Sequence, residues 1–564
     1  MDIDYENLMH SYFKDEIAWL FFQLTRKNSS SIKSILTRTN DNLSLLKNII
    51  HNKNSNINIV NVKQWTIYLE LYYRMIGYSR DTYMGLGEQT ITYMLIFSFY
   101  KYFPKLATYS IHKLVKPCDL HNNRTYGSWR DIKHLCQFVF DFSPLKDKHP
   151  LIDYCIYITN EQLAHDIYTW KFSVNCNSQL HISNVAKHIP REHKKFSWIF
   201  DKLAVHWIRK TKSYIIDTAI NDLSYIKALS KAKMLYRKQI SVLNKALDTV
   251  QIKLCNKQLD SIDFNSFSKN TAIRSLPHFS NIDNDFTNKF QIYIDNWVSN
   301  NDSFQHAFSN GYSYASIPIY YVIKNAIRLS SATKPNNTEI YFINKLWSKN
   351  FLQKFKDVNY FIPLLDVSDT MNDSSFFAAI GFAILLSYNS KFENRIIAVD
   401  KYPTWISIDH DDGLVQQVSH IMDSIYNMRN TVPDFNKAFH LVSHTLKQIN
   451  SYNDFINNIK LVVLSDFESN IHENTIQNIF SSNGFSNFPT FIFWNFSYNL
   501  SDSLPCTSNS QKSFLFSGYS ISNLVNINKF TSRKYNTHTS IFNILMNKRY
   551  DSFSNYMNTL LSTL

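Results

Sequence analysis

Phe361-Ile-Pro-Leu-Leu-Asp366-Val-Ser368-Asp-Thr370-Met371 is the stretch that decides the fold. An apolar run closes on an aspartate and two alternating hydroxyls, and a mostly apolar helix, Phe376 to Tyr388, follows. Hydrogen-bonding side chains at every second position past a buried strand converge on one point above the sheet's carboxyl edge. In an open parallel α/β sheet that edge is where ligands bind. One carboxylate, two hydroxyls and several waters form an all-oxygen set suited to a hard divalent cation such as Mg²⁺. Lys460-Leu-Val-Val-Leu-Ser465-Asp466 repeats the arrangement, another apolar strand ending in Ser-Asp. Either segment alone is an ordinary polar strand end; the two together predict a shared site at Asp366, Ser368, Thr370 and Asp466. Thr431, in Met428-Arg-Asn-Thr431-Val-Pro-Asp434, is a candidate fifth oxygen. Hydroxyls and water-bridged carboxylates leave a cation under-neutralised, so it takes a partner's carboxylate as a last ligand. That is binding chemistry.

Around this stretch, short apolar strands (Phe361–Leu365, Arg395–Val399, Thr404–Ile408, Leu461–Leu464, Pro489–Trp494) alternate with helical segments (Phe376–Tyr388, Gly413–Tyr426, Asn436–Ile449, Glu473–Phe480). The alternation predicts a mostly parallel sheet with helices on both faces. Pro363 is awkward there, because a central strand needs its N–H groups.

Residues 1–358 read differently. Glu16–Thr25, Gln64–Gly77, Gln89–Phe103, Trp129–Phe140 and Phe196–Arg209 carry apolar residues at helical spacing. Turn signals at Phe103-Pro104, Lys116-Pro117, Ser143-Pro144 and Ile189-Pro190 interrupt them. Stacked antiparallel helices are expected. The longest candidate helix covers Leu223–Gln258, with Tyr236, Ile240, Leu243, Leu247, Val250 and Leu254 forming one apolar seam.

Charge separates the two parts. From Tyr360 onward there are 13 Lys and Arg against 16 Asp and Glu, whereas the preceding residues hold 46 against 29, a net of +17. Residues 185–260 alone carry 16 basic and 6 acidic side chains. A basic half joined to a near-neutral half predicts that one binds polyanion and the other does something else. Candidate phosphate contacts are Lys187, Arg191, His193, Lys194 and Lys195, then Arg209, Lys210 and Lys212. Lys231, Lys238 and Lys245 recur every seven residues opposite the seam; by itself that stripe reads as a solvated face, and the surrounding charge excess narrows the margin over a binding role. Trp198, Trp207, Tyr214 and Tyr225 are interleaved with these bases, either as helix-packing core or as platforms for unpaired bases.

Other chemistries find little support. The six cysteines form no C-x-x-C pair, which suits reduced thiols in a cytoplasm-like compartment. No apolar run reaches the ~18 residues of a membrane span, and the acidic start lacks a basic secretory n-region. There is no G-x-x-x-x-G-K-[ST], G-x-G-x-x-G or H-E-x-x-H. His410-Asp411-Asp412 reads as a solvated loop.

Asp366-x-Ser368-x-Thr370 with Asp466 resembles the metal-ion-dependent adhesion site of von Willebrand factor A domains. Tyr78-Ser-Arg80-Asp81-Thr-Tyr-Met-Gly85-Leu-Gly87-Glu88, followed by Tyr126-Gly127-Ser-Trp129-Arg-Asp131, is similar to the first helical repeats of the Ro autoantigen (TROVE) module. Ile189-Pro190-Arg191-Glu192, Leu235-Tyr236-Arg237-Lys238, Ile317-Pro318, Phe493-Trp494-Asn495 and Phe516-Ser517-Gly518-Tyr519 extend the likeness to a Ro-like family of plants, fungi and large DNA viruses. The resemblance implies HEAT-like helical repeats in a ring or arch over 1–358, and a Rossmann-like A domain over 359–564. It also implies binding of small or structured RNA with single-stranded parts. Two departures stand out: Thr370 replaces the usual serine, and Thr431 lies two positions before the family's threonine place, which Pro433 occupies.

The expectation is a non-enzymatic ribonucleoprotein component of the cytoplasm, or of host cytoplasm or virion if viral, with no membrane association. RNA lies on the basic helices; Mg²⁺ and a protein partner lie on the A domain. The rival is a scaffold or virion component whose charge is incidental and whose A domain binds protein in a divalent-dependent way.

Overall fold

The computed structural model describes residues 3–51, 59–117, 125–176, 180–217, 220–262, 284–299, 318–352, 360–392, 394–426, 428, 432–448, 453–469, 471–501, 503–531 and 535–562. A largely helical region leads into a six-stranded mixed sheet flanked by helices, as the sequence predicts. Its contacts divide the chain otherwise than a cut after residue 358. One unit joins residues 1–91 to 264–558, and the other holds residues 92–263 with 559–564.

In the first unit the strands are β1 (Tyr360–Asp366), β2 (Arg395–Val399), β3 (Thr404–Ser407), β4 (Ile459–Ser465), β5 (Thr490–Asn495) and β6 (Ser513–Ser517). They lie in the order β3-β2-β1-β4-β5-β6, with β3 antiparallel to β2 and every other pairing parallel. β1, β4, β5 and β6 are almost wholly buried, which explains their unbroken apolar runs. β6 was not among the expected strands, since Ser513-Phe-Leu-Phe-Ser517 is short and bounded by serines. Pro363 pairs within the β4 ladder, but the β2 ladder begins only at Leu364. One side of β1 therefore behaves as a sheet edge at that point, where a missing N–H is tolerated. The chain leaves β1 towards β2 and leaves β4 towards β5, so the sheet reverses direction between β1 and β4. Their adjacent carboxyl ends form the switch point at which such sheets place ligands.

Helices α1 (Ile3–Phe22), α2 (Ser29–His51) and α3 (Ile59–Arg80) belong to this same unit. The end of α1 is bonded to the sheet: Ser517 Oγ donates to the Phe21 carbonyl at 2.8 Å and Asn495 Nδ2 to that of Phe22 at 2.7 Å. The end of α3 is clamped by the C-terminal segment. Arg549 makes a buried two-armed pair with Asp81, and Arg74 bonds Glu70 and Asp551, each at 2.9 Å.

The second unit holds most of α4 (Thr90–Tyr102), then α5 (Pro104–Val115), α6 (Trp129–Phe142), α7 (Pro150–Cys176), α8 (Val185–His188), α9 (Ser197–Lys212), α10 (Tyr214–Asp217), α11 (Asp222–Ala246) and α12 (Val250–Cys255). Each turn signal falls at a helix end, and Pro104 stands in the first turn of α5, where a missing N–H costs nothing. Ser128 and Asp131 form a capping box that starts α6, and a second Asp131 oxygen takes the Tyr93 hydroxyl at 2.6 Å. A side chain at Gly127 would meet Asp131 Oδ2 at 2.6 Å, so the Gly-x-Trp-x-Asp segment is a helix-starting joint. The long helix expected over Leu223–Gln258 ends at Ala246 and restarts at Val250. Asp248 carries a left-handed φ of 40°, which aspartate tolerates better than most residues, and nothing like Gly or Pro marks the break. Of the expected seam, Tyr236 and Leu243 are buried on α11; Ile240, Leu247 and Leu254 are only half-buried.

Candidate functional sites

At the β1/β4 switch point the expected oxygens do meet. Asp366, fully buried, accepts from the Ser368 backbone at 2.9 Å and the Ser368 hydroxyl at 2.7 Å on Oδ1, and from Ser465 at 2.6 Å on Oδ2. Ser368 Oγ lies 2.7 Å from Thr370 Oγ1. Asp466 is buried beside them; its Oδ1 accepts from the Glu468 backbone at 3.2 Å, while its Oδ2 is buried with no hydrogen-bond partner. Burial pushes the Asp466 carboxyl up to about 6, and the neighbouring Asp366 charge adds to this, against the pull of the Thr370 hydroxyl and the Glu468 backbone. Asp366 is also raised by burial, against the pull of the Ser465 and Ser368 hydrogen bonds. Two carboxyls that resist ionising together, one orphaned oxygen and two hydroxyls are a donor set that fits a hard dication. Asp366, Ser368, Thr370 and Asp466 are the residues that would hold it. Thr431 lies outside the described residues. Among the described residues no three His, Cys, Asp or Glu side chains form a metal-holding group, so any such site rests on hydroxyls as well as carboxylates.

The structure adds groups that sequence reading missed. The segment after α1 places Lys27 at this edge: its fully enclosed amine donates to the Asn499 carbonyl at 2.6 Å. Asn499 Nδ2 in turn donates to Glu468 Oε1 at 2.6 Å. Burial drives the Lys27 amine down to about 7, opposed by the charge of Asp466. Ser465 and Glu468 flank Asp466 in sequence and were within reach of a careful reading. Lys27, some 440 residues away, had no sequence signal. His410 is half-buried, packed edge-on at 4.7 Å to Tyr388 with neither ring nitrogen hydrogen-bonded, and belongs to no metal-holding group among the described residues.

The second candidate is a basic face in the other unit. α9 and α11 pack as an antiparallel hairpin joined through α10. Tyr236 of α11 lies between Phe200 and Trp207 of α9 at 5.7 and 6.0 Å, and its hydroxyl donates to Asn160 at 2.8 Å. Of the sixteen bases in 185–260, five have an acidic partner: Lys202 with Asp147, Lys210 with Glu161, Lys233 with Glu192 and Asp201, Arg237 with Glu192, and Lys253 with Asp248. The other eleven have none among the described residues.

The predicted contacts fall in three groups. Lys187, Arg191, His193, Lys194 and Lys195 are exposed on α8 and the loop after it. That loop is fixed by Glu192, which bonds Arg237 at 2.7 Å and lies 3.8 Å from Lys233. Arg209, Lys210 and Lys212 are exposed at the far end of α9, about 20 Å along a helix of its length. Lys231, Lys238 and Lys245 are all exposed on α11 and span the distance between those ends. Lys187, Arg191, His193 and Lys245 also line one cleft of about 840 Å³. The aromatics split: Trp207 is core, Trp198 is half-buried and bonded to Gln137, while Tyr214 and Tyr225 are exposed. His188 is held down to about 4, first by burial and then by Lys133 and Lys187. No described helix is long and apolar enough to cross a membrane.

Residues 361–539 match a family described as a domain of unknown function, DUF7788. No curated protein matches the chain. Among solved structures, the chain is similar to the crystal structure of the Ro (RSR) protein of Deinococcus radiodurans, at 8% identity and a TM-score of 0.40, covering 92% of this chain and 94% of that one. That likeness is too loose to locate a site.

Proposed function

We propose that this chain is an RNA-binding, non-enzymatic component of a ribonucleoprotein, holding partly single-stranded RNA on the α8–α11 basic face. The observation that carries the reading is the set of eleven bases in 185–260 without an acidic partner among the described residues, nine of them in the groups named above and exposed. Cations that fold stability does not use are available to phosphates. Filter binding of the intact protein to an unstructured RNA, across roughly 50–300 mM salt where such contacts are screened, tests it. Affinity should fall steeply, by about 0.7 in log–log slope for each phosphate neutralised on a single strand. Weak binding with a flat salt response would end the reading.

The oxygen cluster supports a second part of the same reading: Mg²⁺ held by Asp366, Ser368, Thr370 and Asp466, supplying an open position for a protein partner's carboxylate. The orphaned Asp466 oxygen is what supports it. Titration with Mn²⁺ followed by electron paramagnetic resonance should show one bound ion, lost in Asp366→Ala. A wild-type protein that leaves Mn²⁺ free in solution overturns this part and leaves the RNA part standing.

A further inference from the structure

We infer that the cleft at the end of the α9–α11 hairpin is a pocket for one unpaired nucleotide of the RNA. The inference rests on the RNA-binding reading and names the part of the RNA that this site takes. The cleft exists because α11 stops at Ala246. The left-handed turn at Asp248 lets Ile252 of α12 and Asn256 just after it face the same space as Ile240, Ser241, Asn244 and Lys245 of α11. α8 and the Ile189-Pro190-Arg191 loop form the other wall.

Three features point to a nucleotide. The volume of about 840 Å³ lies in the range of small-ligand sites, well above what one base needs. Its lining is chemically divided. Ile189, Pro190, Ile240 and Ile252 offer an apolar surface to the face of a base, and Ser241 and Asn244, whose Nδ2 already donates to the Ala186 carbonyl at 3.4 Å, add polar groups for a base edge. Lys187, Arg191 and Lys245 at the same lining offer positive charge to phosphates. The net charge favours an anion as well. Glu192 is the one acid among the described lining residues, and it is already held by Arg237 at 2.7 Å. None of the three cations has an acidic partner among the described residues.

A duplex keeps its bases stacked inside, so only an unpaired nucleotide can enter. A folded protein with a basic surface but no such pocket would hold single strands and duplex through phosphates alike.

The test uses the full chain and fluorescence anisotropy with two probes, a uridine-rich single strand and a blunt RNA duplex of equal length. Ser241→Trp fills the cleft from an exposed position on α11. The pair Lys187→Ala and Lys245→Ala removes its charge without adding bulk, and decides the matter if the tryptophan variant fails to fold. Both sets should lower single-strand affinity about tenfold or more, the scale of one base's stacking and phosphate contacts, and should change duplex affinity far less. Photo-crosslinks from 4-thiouridine in the single strand should map to 186–193 or 240–256. Folded variants with unchanged single-strand affinity, or with equal losses on both probes, overturn the pocket while the RNA-binding reading survives. A wild-type protein that binds neither probe overturns that reading, and the pocket with it.

Discussion

Five arginines of the first unit and most bases of 185–260 have the same chemistry and opposite fates. Arg26, Arg38, Arg74, Arg328 and Arg549 each meet a carboxylate, and Arg74 and Arg549 do so almost fully buried. In the second unit most of the cations stand in solvent without an acid. A composition count treats these sets alike. Only placement shows that one set is committed to ion pairs within the fold, Arg74 and Arg549 among them holding the end of α3 to the C-terminal segment, while the other is free for a polyanion.

The largest effect belongs to the buried clamp. Asp81 is fully buried, held by both arms of Arg549 and by the Tyr550 hydroxyl at 3.3 Å. Asp81→Ala takes its carboxylate away from the buried Arg549 guanidinium, which costs about 3–5 kcal/mol. Urea unfolding should show that loss, and RNA affinity of the protein still folded should be unchanged. Less than about 1 kcal/mol, the scale of an exposed pair, would mean that water reaches the pair and the contrast between the units is overstated.

Next comes charge reversal on the open face. Lys194→Glu, Lys195→Glu, Lys231→Glu and Lys238→Glu together alter residues that are exposed and have no acidic partner among the described residues. Loss of four phosphate contacts should flatten the salt slope by about 3 and weaken single-strand affinity by roughly 10²–10³ near 0.1 M salt. Thermal stability should barely move, because none of the four packs in the core. The inverse result, a destabilised protein with unchanged RNA affinity, would make this face structural.

A smaller effect concerns pH. In the second unit His134 and His188 are both held down to about 4, chiefly by burial and then by cations, Arg130 first for His134 and Lys133 first for His188. Lys187 and Lys195 act in the same direction, and Asp131 opposes. The unfolded chain takes protons near the ordinary value of 6.5, while the folded unit refuses them until about 4. Their contribution is therefore whole above 6.5 and is lost as pH falls through that interval. His538 in the first unit is held down to about 4 as well, so whole-protein melting is not specific to either region. The double variant His134→Gln, His188→Gln isolates it: its melting temperature should depend less on pH between 7 and 4 than the wild type's. Equal slopes would mean that both rings take up protons alike in the folded and the unfolded chain.

Much of this was legible in the sequence. β1 and β4 announce themselves as apolar runs ending in Asp366 and Ser465-Asp466, because a strand buried on both faces has no polar positions to blur its edges. Four helix ends were marked by prolines, whose effect is local. The misses share one cause: they depend on residues distant along the chain. Lys27 reaches the oxygen cluster only because α1 is bonded to β5 and β6. Helices α1–α3 join the sheet unit through Asp81 and Arg74, whose partners lie more than 460 residues further on. The short strand β6 lacks length, and the break at Asp248 lacks a glycine. The Arg80-Asp81 to Glu88 and Gly127 to Asp131 segments that carried the likeness to Ro-type repeats prove to be joints of the fold. Asp81 is clamped by Arg549, Glu88 pairs with Arg26 at 3.4 Å, and Asp131 caps α6.

The smallest effect tests the border between the two kinds of cation. Lys210 belongs to the basic group at the end of α9, yet it is spent on Glu161 of α7, and both side chains are substantially exposed. An exposed pair contributes under about 1 kcal/mol, so Glu161→Gln should hardly change stability. It should release Lys210 to the face that Arg209 and Lys212 already share. If that end of the hairpin meets RNA, the variant binds single strands slightly more tightly, and its salt slope steepens by up to about 0.7, the share of one further phosphate. An unchanged slope would confine the RNA to the cleft end and the α11 stripe, and would shorten the face by roughly the length of α9.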